Sequence, residues 1–308
     1  MKKNIQSTLF TILISVFFFT SVYAEEPSIS LKLTLEREEE LVDLPIYGFM
    51  EIKAAFNTDE KVVLQPHYSI TYGNMDLLVR KKNEDTDFVK LHSGFFTDGY
   101  SQPLAPIGKD FHQIERRAFI LDYGSPLLGI GGYEIKISIS YLHNDKGCRI
   151  FSNTCNLNIV EPTGFEELAH EYWTKKVSKD DEKFKKYKKM VELFPTSRYT
   201  GYAYVKMSNH LRSTCMKGHQ LENYDFKGIE ESLKYALMAI NSDMYIGSKD
   251  LALSIALDCY EVLGEWKNAE KMSNWLIHEY PHTYLGRKQI EKCASEKDNQ
   301  SNNDEKNK

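Results

Sequence analysis

The chain has no excess of positive charge: 39 lysines and arginines stand against 44 acidic residues, for a net charge of −5. A surface of that sign does not attract polyphosphate, so nucleic acid is excluded as the expected partner. No apolar stretch beyond residue 24 approaches the roughly 20 residues that a bilayer span needs. Cysteine is sparse: Cys148, Cys155, Cys215, Cys259 and Cys293 are all there is in 308 residues. None has C-x-x-C spacing and no histidine stands at ligand spacing from two of them, which argues against structural zinc. A nucleophile elbow of the G-x-S-x-G kind is missing, and so is a phosphate-cradling glycine loop. Gly129-Ile130-Gly131-Gly132 precedes a strand-like segment, so it reads as a turn. These absences leave no catalytic constellation and no expected cofactor or metal. With 42% hydrophobic and 12% aromatic residues the chain still has ample material for a core, and its length suits two domains.

At the N-terminus, Lys2 and Lys3 precede an uncharged run from 4 to 24 centred on 9–19. Val22-Tyr23-Ala24 then places small residues at the −3 and −1 positions, ahead of Glu25 and Glu26. This is the plan of an export signal over 1–24. A retained anchor helix is the alternative, and the polar Ser7, Thr8, Thr11 and Ser15 favour cleavage. No cysteine follows the apolar run, so a lipid anchor of the bacterial lipoprotein kind is not expected. The reading is a periplasmic or secreted protein with no membrane span once the signal is removed. In such an oxidising compartment, Cys148 and Cys155 are the expected disulfide, because both flank one short connection between strand-like segments.

Composition changes near residue 162. Seven of the nine prolines fall at or before Pro162, whereas Trp173, Trp266 and Trp275 all follow it. Residues 25–163 show period-2 alternation. Ile29, Leu31, Leu33 and Leu35 alternate with polar neighbours, as do Met50, Ile52, Ala54 and Phe56, then Ile135, Ile137, Ile139 and Tyr141; Leu157 and Ile159 close the series. Each such segment puts one apolar face inward, as in an antiparallel sheet covered on one side. Tyr72-Gly73-Asn74 and Gly131-Gly132 supply turns between them. Roughly seven strands over this length suit a β-sandwich, with a small barrel as the alternative. The order of features also resembles an immunoglobulin-like domain of exported bacterial proteins. The resemblance rests on Leu41-Val42-Asp43-Leu44-Pro45-Ile46, on Leu121-Asp122-Tyr123-Gly124 with Gly132-Tyr133-Glu134-Ile135, and on Ser152-Asn153-Thr154 followed by the closing strand to Pro162. One relative type inhibits proteases, so the resemblance implies protease inhibition or other ligand binding as an alternative function for this half.

Beyond residue 163 the spacing turns helical, with helices predicted near 164–176, 178–194, 197–216, 225–241, 248–263, 266–280 and 282–296 and a disordered tail over 297–308. Ile229, Leu233, Ala236, Leu237 and Ile240 form one amphipathic stripe. Pro195 and Pro281 each follow a helix they cannot continue. Within 250–283, Tyr260, Gly264, Trp266, Ala269 and Pro281 stand at offsets 11, 15, 17, 20 and 32 from Asp250. This resembles a tetratricopeptide repeat, and a less regular unit precedes it, with Phe226, Ile229, Leu233 and Ala236 in its second helix. The resemblance implies an α-helical solenoid over 164–296 that holds peptides on a curved surface. The expected architecture is therefore multidomain, β then α.

On 197–216, Tyr202, Lys206 and Asn209 fall with Ser213 on one polar face, opposite Ala203, Met207 and Leu211. That face is the candidate protein-binding patch; an ordinary solvated face is the bland reading. His278-Glu279-Tyr280-Pro281-His282 matches the H-E-x-x-H pattern, but Pro281 would interrupt the single helix that a zinc protease needs to align both histidines. The acidic run 36–40 reads as a solvated strand end or turn, and 180–189 as an exposed helix face. Taken together, these features predict a non-enzymatic exported protein that contacts another protein or peptide of the cell envelope.

Overall fold

A computed structural model describes residues 28–56, 60–64, 75–91, 105–120, 128–216, 224–242 and 249–306. The expected signal, the Tyr72–Asn74 turn and the Leu121–Gly124 motif lie outside the described residues. The N-terminal part is β-rich, with β1 (Ser28–Leu35), β2 (Glu39–Leu41), β3 (Ile46–Ala55), β4 (Val62–Leu64), β5 (Met75–Lys81), β6 (Val89–Leu91), β7 (Ala105–Pro106), β8 (Asp110–Ile120), β9 (Gly131–His143), β10 (Lys146–Phe151) and β11 (Cys155–Val160). Among the described residues seven helices follow: α1 (Phe165–Thr174), α2 (Asp180–Leu193), α3 (Arg198–Cys215), α4 (Phe226–Ile240), α5 (Lys249–Val262), α6 (Trp266–Glu279) and α7 (Tyr284–Lys306).

The strands form two sheets. One is antiparallel in the order β1-β3-β8. The other is built around β9, with β4 and β5 along one edge and β10 and β11 along the opposite edge. Alternation is what lets the two layers share a core. Leu31, Leu33, Met50 and Ile52 of the first sheet meet Leu77, Ile135, Ile137, Ile139 and Leu157 of the second, and all are buried. The expected bridge between Cys148 and Cys155 is not formed, and both are free thiols. Strand register gives the reason. Cys148 stands opposite Tyr141 and Cys155 opposite Ile135, so the two succeed one another along the same edge of β9. Six residues of strand span about 20 Å, several times the roughly 6 Å between Cα atoms that a disulfide requires. Thiol titration of the full chain in denaturant, without reductant, is expected to count all five cysteines; recovery of three would restore the bridge. In the native protein, burial pushes the Cys259 thiol up to about 11, so it is expected to resist alkylation at neutral pH.

Each helix except α1 and α7 lies between sequence neighbours: α2 packs on α3, α3 on α4, α4 on α5, α5 on α6 and α6 on α7. α3 also touches α5, and α5 touches α7. Ala203, Met207, Ile229 and Ala236 are fully buried, as the helical spacing requires. Gly264, between α5 and α6, has φ 74°, a left-handed conformation that favours glycine. A Cβ at Gly286 would overlap the Tyr280 carbonyl oxygen, so α7 can lie against the end of α6 only with glycine there. The expected tail over 297–308 is instead helical as far as Lys306. Propagating a helix already nucleated by preceding turns costs little even in a polar sequence. Among the described residues, no helix is long and apolar enough to cross a membrane.

Candidate functional site

The β half and the helices meet through the turn that joins β2 to β3. β2 lies parallel to β11, pairing Glu39, Glu40 and Leu41 with Asn158, Ile159 and Val160. Asp43 then turns the chain with φ 63°, and Leu41 and Leu44 enter the helical core beside Trp173 and Tyr199. The Tyr199 hydroxyl donates to the Val42 carbonyl at 2.9 Å, and His170 Nε2 lies 2.8 Å from Asp43 Oδ2. The acidic run that read as a solvated turn is the other half of this junction. Arg198 bonds Glu40, which is 5% exposed, and Arg116 forks onto Glu36 with Nη2 at 2.8 Å from Oε2. The same guanidinium lies 3.6 Å from Asp250 of α5 and 4.7 Å from the centre of the Tyr47 ring, and its backbone N–H donates to the His282 carbonyl at 2.8 Å. His282 therefore belongs to this junction. α6 ends at Glu279, and Tyr280 leaves helical geometry with φ −126°, so His278 and His282 do not share a helical face.

Burial holds the Glu40 carboxyl above the ordinary carboxylate value, against the opposing pull of Arg198. A carboxyl raised on folding binds its proton more tightly in the folded chain than in the unfolded one. Its contribution to stability is present at low pH and is lost as pH climbs from the usual carboxylate range through the folded value. Glu40→Gln is expected to remove that decline. Its urea midpoint relative to the parent should then rise between about pH 4 and about pH 7; a difference that is flat across the range would show that Glu40 is not desolvated.

Beside the junction lies a cleft of about 1070 Å³, bounded by α1, the α1–α2 connection, α2 and α3. Trp173, Phe184 and Tyr187 give it an aromatic floor, and Lys175, Lys176, Lys183, Lys186 and Lys206 line it against only two aspartates, Asp43 and Asp180. Both aspartates are engaged, Asp43 by His170 and Asp180 by Lys183 at 2.9 Å, a bond that holds the Asp180 carboxyl below its usual value. Lys186 donates to the carbonyls of Trp173 and Lys175, at 2.7 Å for the latter, satisfying acceptors at the end of α1. Lys175, Lys176 and Lys206 make no ion pair among the described residues.

No family model and no curated protein matches this chain. The site therefore stands on its own geometry.

The structure divides the three residues chosen from the helical wheel. Lys206 and Asn209 are exposed and line the cleft with Ser213. Tyr202, one turn earlier on α3, is 7% exposed and faces Glu36, Glu40 and Tyr47 at the junction, where burial raises its hydroxyl well above the ordinary tyrosine value. Lys206 and Asn209 share the exposed face that the helical spacing gives them, but nothing in α3 alone marks where the β half covers Tyr202. The Lys183 and Lys186 that read as part of an exposed face are half-buried at the cleft, whereas Lys189 is exposed and lies 3.2 Å from Glu192.

Proposed function

We propose that this is an exported, non-enzymatic protein whose helical half binds another protein or peptide of the cell envelope. The observation that carries this reading is the open cleft at Lys206 and Asn209. It offers ammonium, amide and hydroxyl groups over an aromatic floor, while its two carboxylates are already held by partners. The lining also holds the His210 imidazole, which packs on the Phe184 ring at 5.5 Å; with both carboxylates held, such a lining favours recognition of a surface over proton transfer. On this reading the β half is an immunoglobulin-like sandwich, supported by the single core between its two sheets. The helical half is a tetratricopeptide-like solenoid, supported by the contacts of α3 with α5 and of α5 with α7, and by the left-handed turn at Gly264. Export to the periplasm or the medium rests on residues 1–24.

Because Leu41 and Leu44 sit in the helical core, the test uses the full chain. A photo-crosslinking amino acid at Asn209 is expected to give an adduct with a second protein in the envelope fraction, and one at the exposed Lys32 of β1 is not. Adducts from position 32 alone would move the binding activity to the β half and overturn the reading.

A further inference from the structure

We propose that the cleft bounded by α1, α2 and α3 receives an extended acidic peptide segment in which an aromatic or aliphatic side chain accompanies the carboxylates. The inference deepens the function proposed above and rests on it. The first ground is charge. Five lysines and two aspartates meet in one concavity of a chain whose net charge is −5, so the cleft carries the sign opposite to the protein as a whole. Neither aspartate neutralises the three lysines that matter, because each is spent on another group, Asp43 on His170 and Asp180 on Lys183. Lys175 and Lys176 on the α1–α2 connection and Lys206 on α3 are left as ammonium groups around the opening, without an ion pair among the described residues. Like charges held together repel, and a carboxylate placed among them relieves that repulsion while gaining charge-assisted hydrogen bonds.

The second ground is the floor. Trp173 is 7% exposed and packs against Tyr187 at 5.6 Å between ring centroids, and Phe184 lies 5.5 Å from the ring of His210. Apolar surface under a cationic rim suits a side chain with carboxylates on either side of it. The volume, about 1070 Å³, lies at the upper end of small-molecule pockets and accommodates several residues of extended chain. A lipid surface presents its phosphates in a plane and would touch the rim lysines without filling this floor. A peptide reaches both.

Fluorescence anisotropy with the full chain tests the proposal. The probe is a fluorescein-labelled dodecapeptide with glutamates flanking two phenylalanines; the comparison peptides carry lysine for glutamate or serine for phenylalanine. Binding of the acidic aromatic probe is expected to weaken about tenfold between low and physiological salt. A double Lys176→Glu and Lys206→Glu exchange is expected to weaken it by about tenfold or more, with circular dichroism unchanged because both side chains are exposed. Lys188→Glu, an exposed position of α2 outside the cleft, alters net charge in the same direction and is expected to leave affinity within about twofold. Equal binding of the glutamate and lysine peptides, or equal loss in the Lys188 variant, overturns the proposal. So does capture by phosphatidylglycerol vesicles without peptide binding. An Asn209 adduct in the envelope fraction that survives the double lysine exchange would preserve the binding function while removing its acidic ligand.

Discussion

Replacing Arg116 with alanine is expected to lower the stability of the folded chain by about 3–5 kcal/mol, read as a fall in the urea midpoint. The guanidinium is 7% exposed and lies against two acids drawn from different parts of the chain, Glu36 after β1 and Asp250 at the start of α5. Its fork also lies over Tyr47 and, at 5.9 Å, over Tyr280. Removing the cation takes the guanidinium away from two largely desolvated carboxylates, a far larger penalty than loss of an exposed pair. Arg116→Lys keeps the charge but cannot form the two parallel bonds to Glu36, and its loss should fall between parent and alanine. A change below about 1 kcal/mol for the alanine variant would place this network in the class of solvated surface pairs.

Tyr199 carries the second large effect. It is fully buried, with Trp173 and His170 at 5.9 and 5.5 Å between ring centroids and its hydroxyl on the Val42 carbonyl. Tyr199→Ala is expected to cost about 3–5 kcal/mol, from lost burial and the cavity left behind. Tyr199→Phe keeps the rings in place and strands one buried carbonyl, at a cost of about 1–3 kcal/mol. The two losses separate packing from the hydrogen bond that ties the β half to α3. Calorimetry provides a further reading: the alanine variant should broaden or split a transition that is single in the parent, because this side chain spans the seam between the halves. Equal losses in both variants would show that the hydroxyl, with little help from the ring, holds the seam.

Much of this architecture is legible in the sequence because two periodicities announce it. All seven helices begin where the spacing of apolar residues and the punctuation by Pro195, Gly264 and Pro281 put them, though α7 runs ten residues past its predicted end at 296. Long strands such as β1, β3 and β9 are equally plain, since four or more alternations leave little ambiguity. β2, β4, β6 and β7 have two or three residues each, too few for a period to show. The bridge between Cys148 and Cys155 failed as an expectation because nearness in sequence was taken as facing across a turn, whereas β10 and β11 continue one another along β9. At the cleft, helical geometry alone placed Lys206 and Asn209 together. It could not show that the acids of 36–40 would leave solvent, or that Tyr202 would be covered, because both depend on contacts more than 100 residues apart in the chain. One signal was available: the charged run sits directly before the apolar Leu41-Val42 and Leu44.

The parallel pairing of β2 with β11 has a mechanical consequence. Its bonds join the segment that enters the turn at Asp43 to the strand that leads, after a short connection, into α1. Opposing tension on chain upstream of Glu39 and downstream of Val160 would load those bonds along the strand axis, all together, as a shear clasp. The chain between Leu41 and Asn158 is shielded until that clasp slips, whereas the connection at 161–164 lies in series with it, so tension would pass to the helices through the clasp and bypass the other strands.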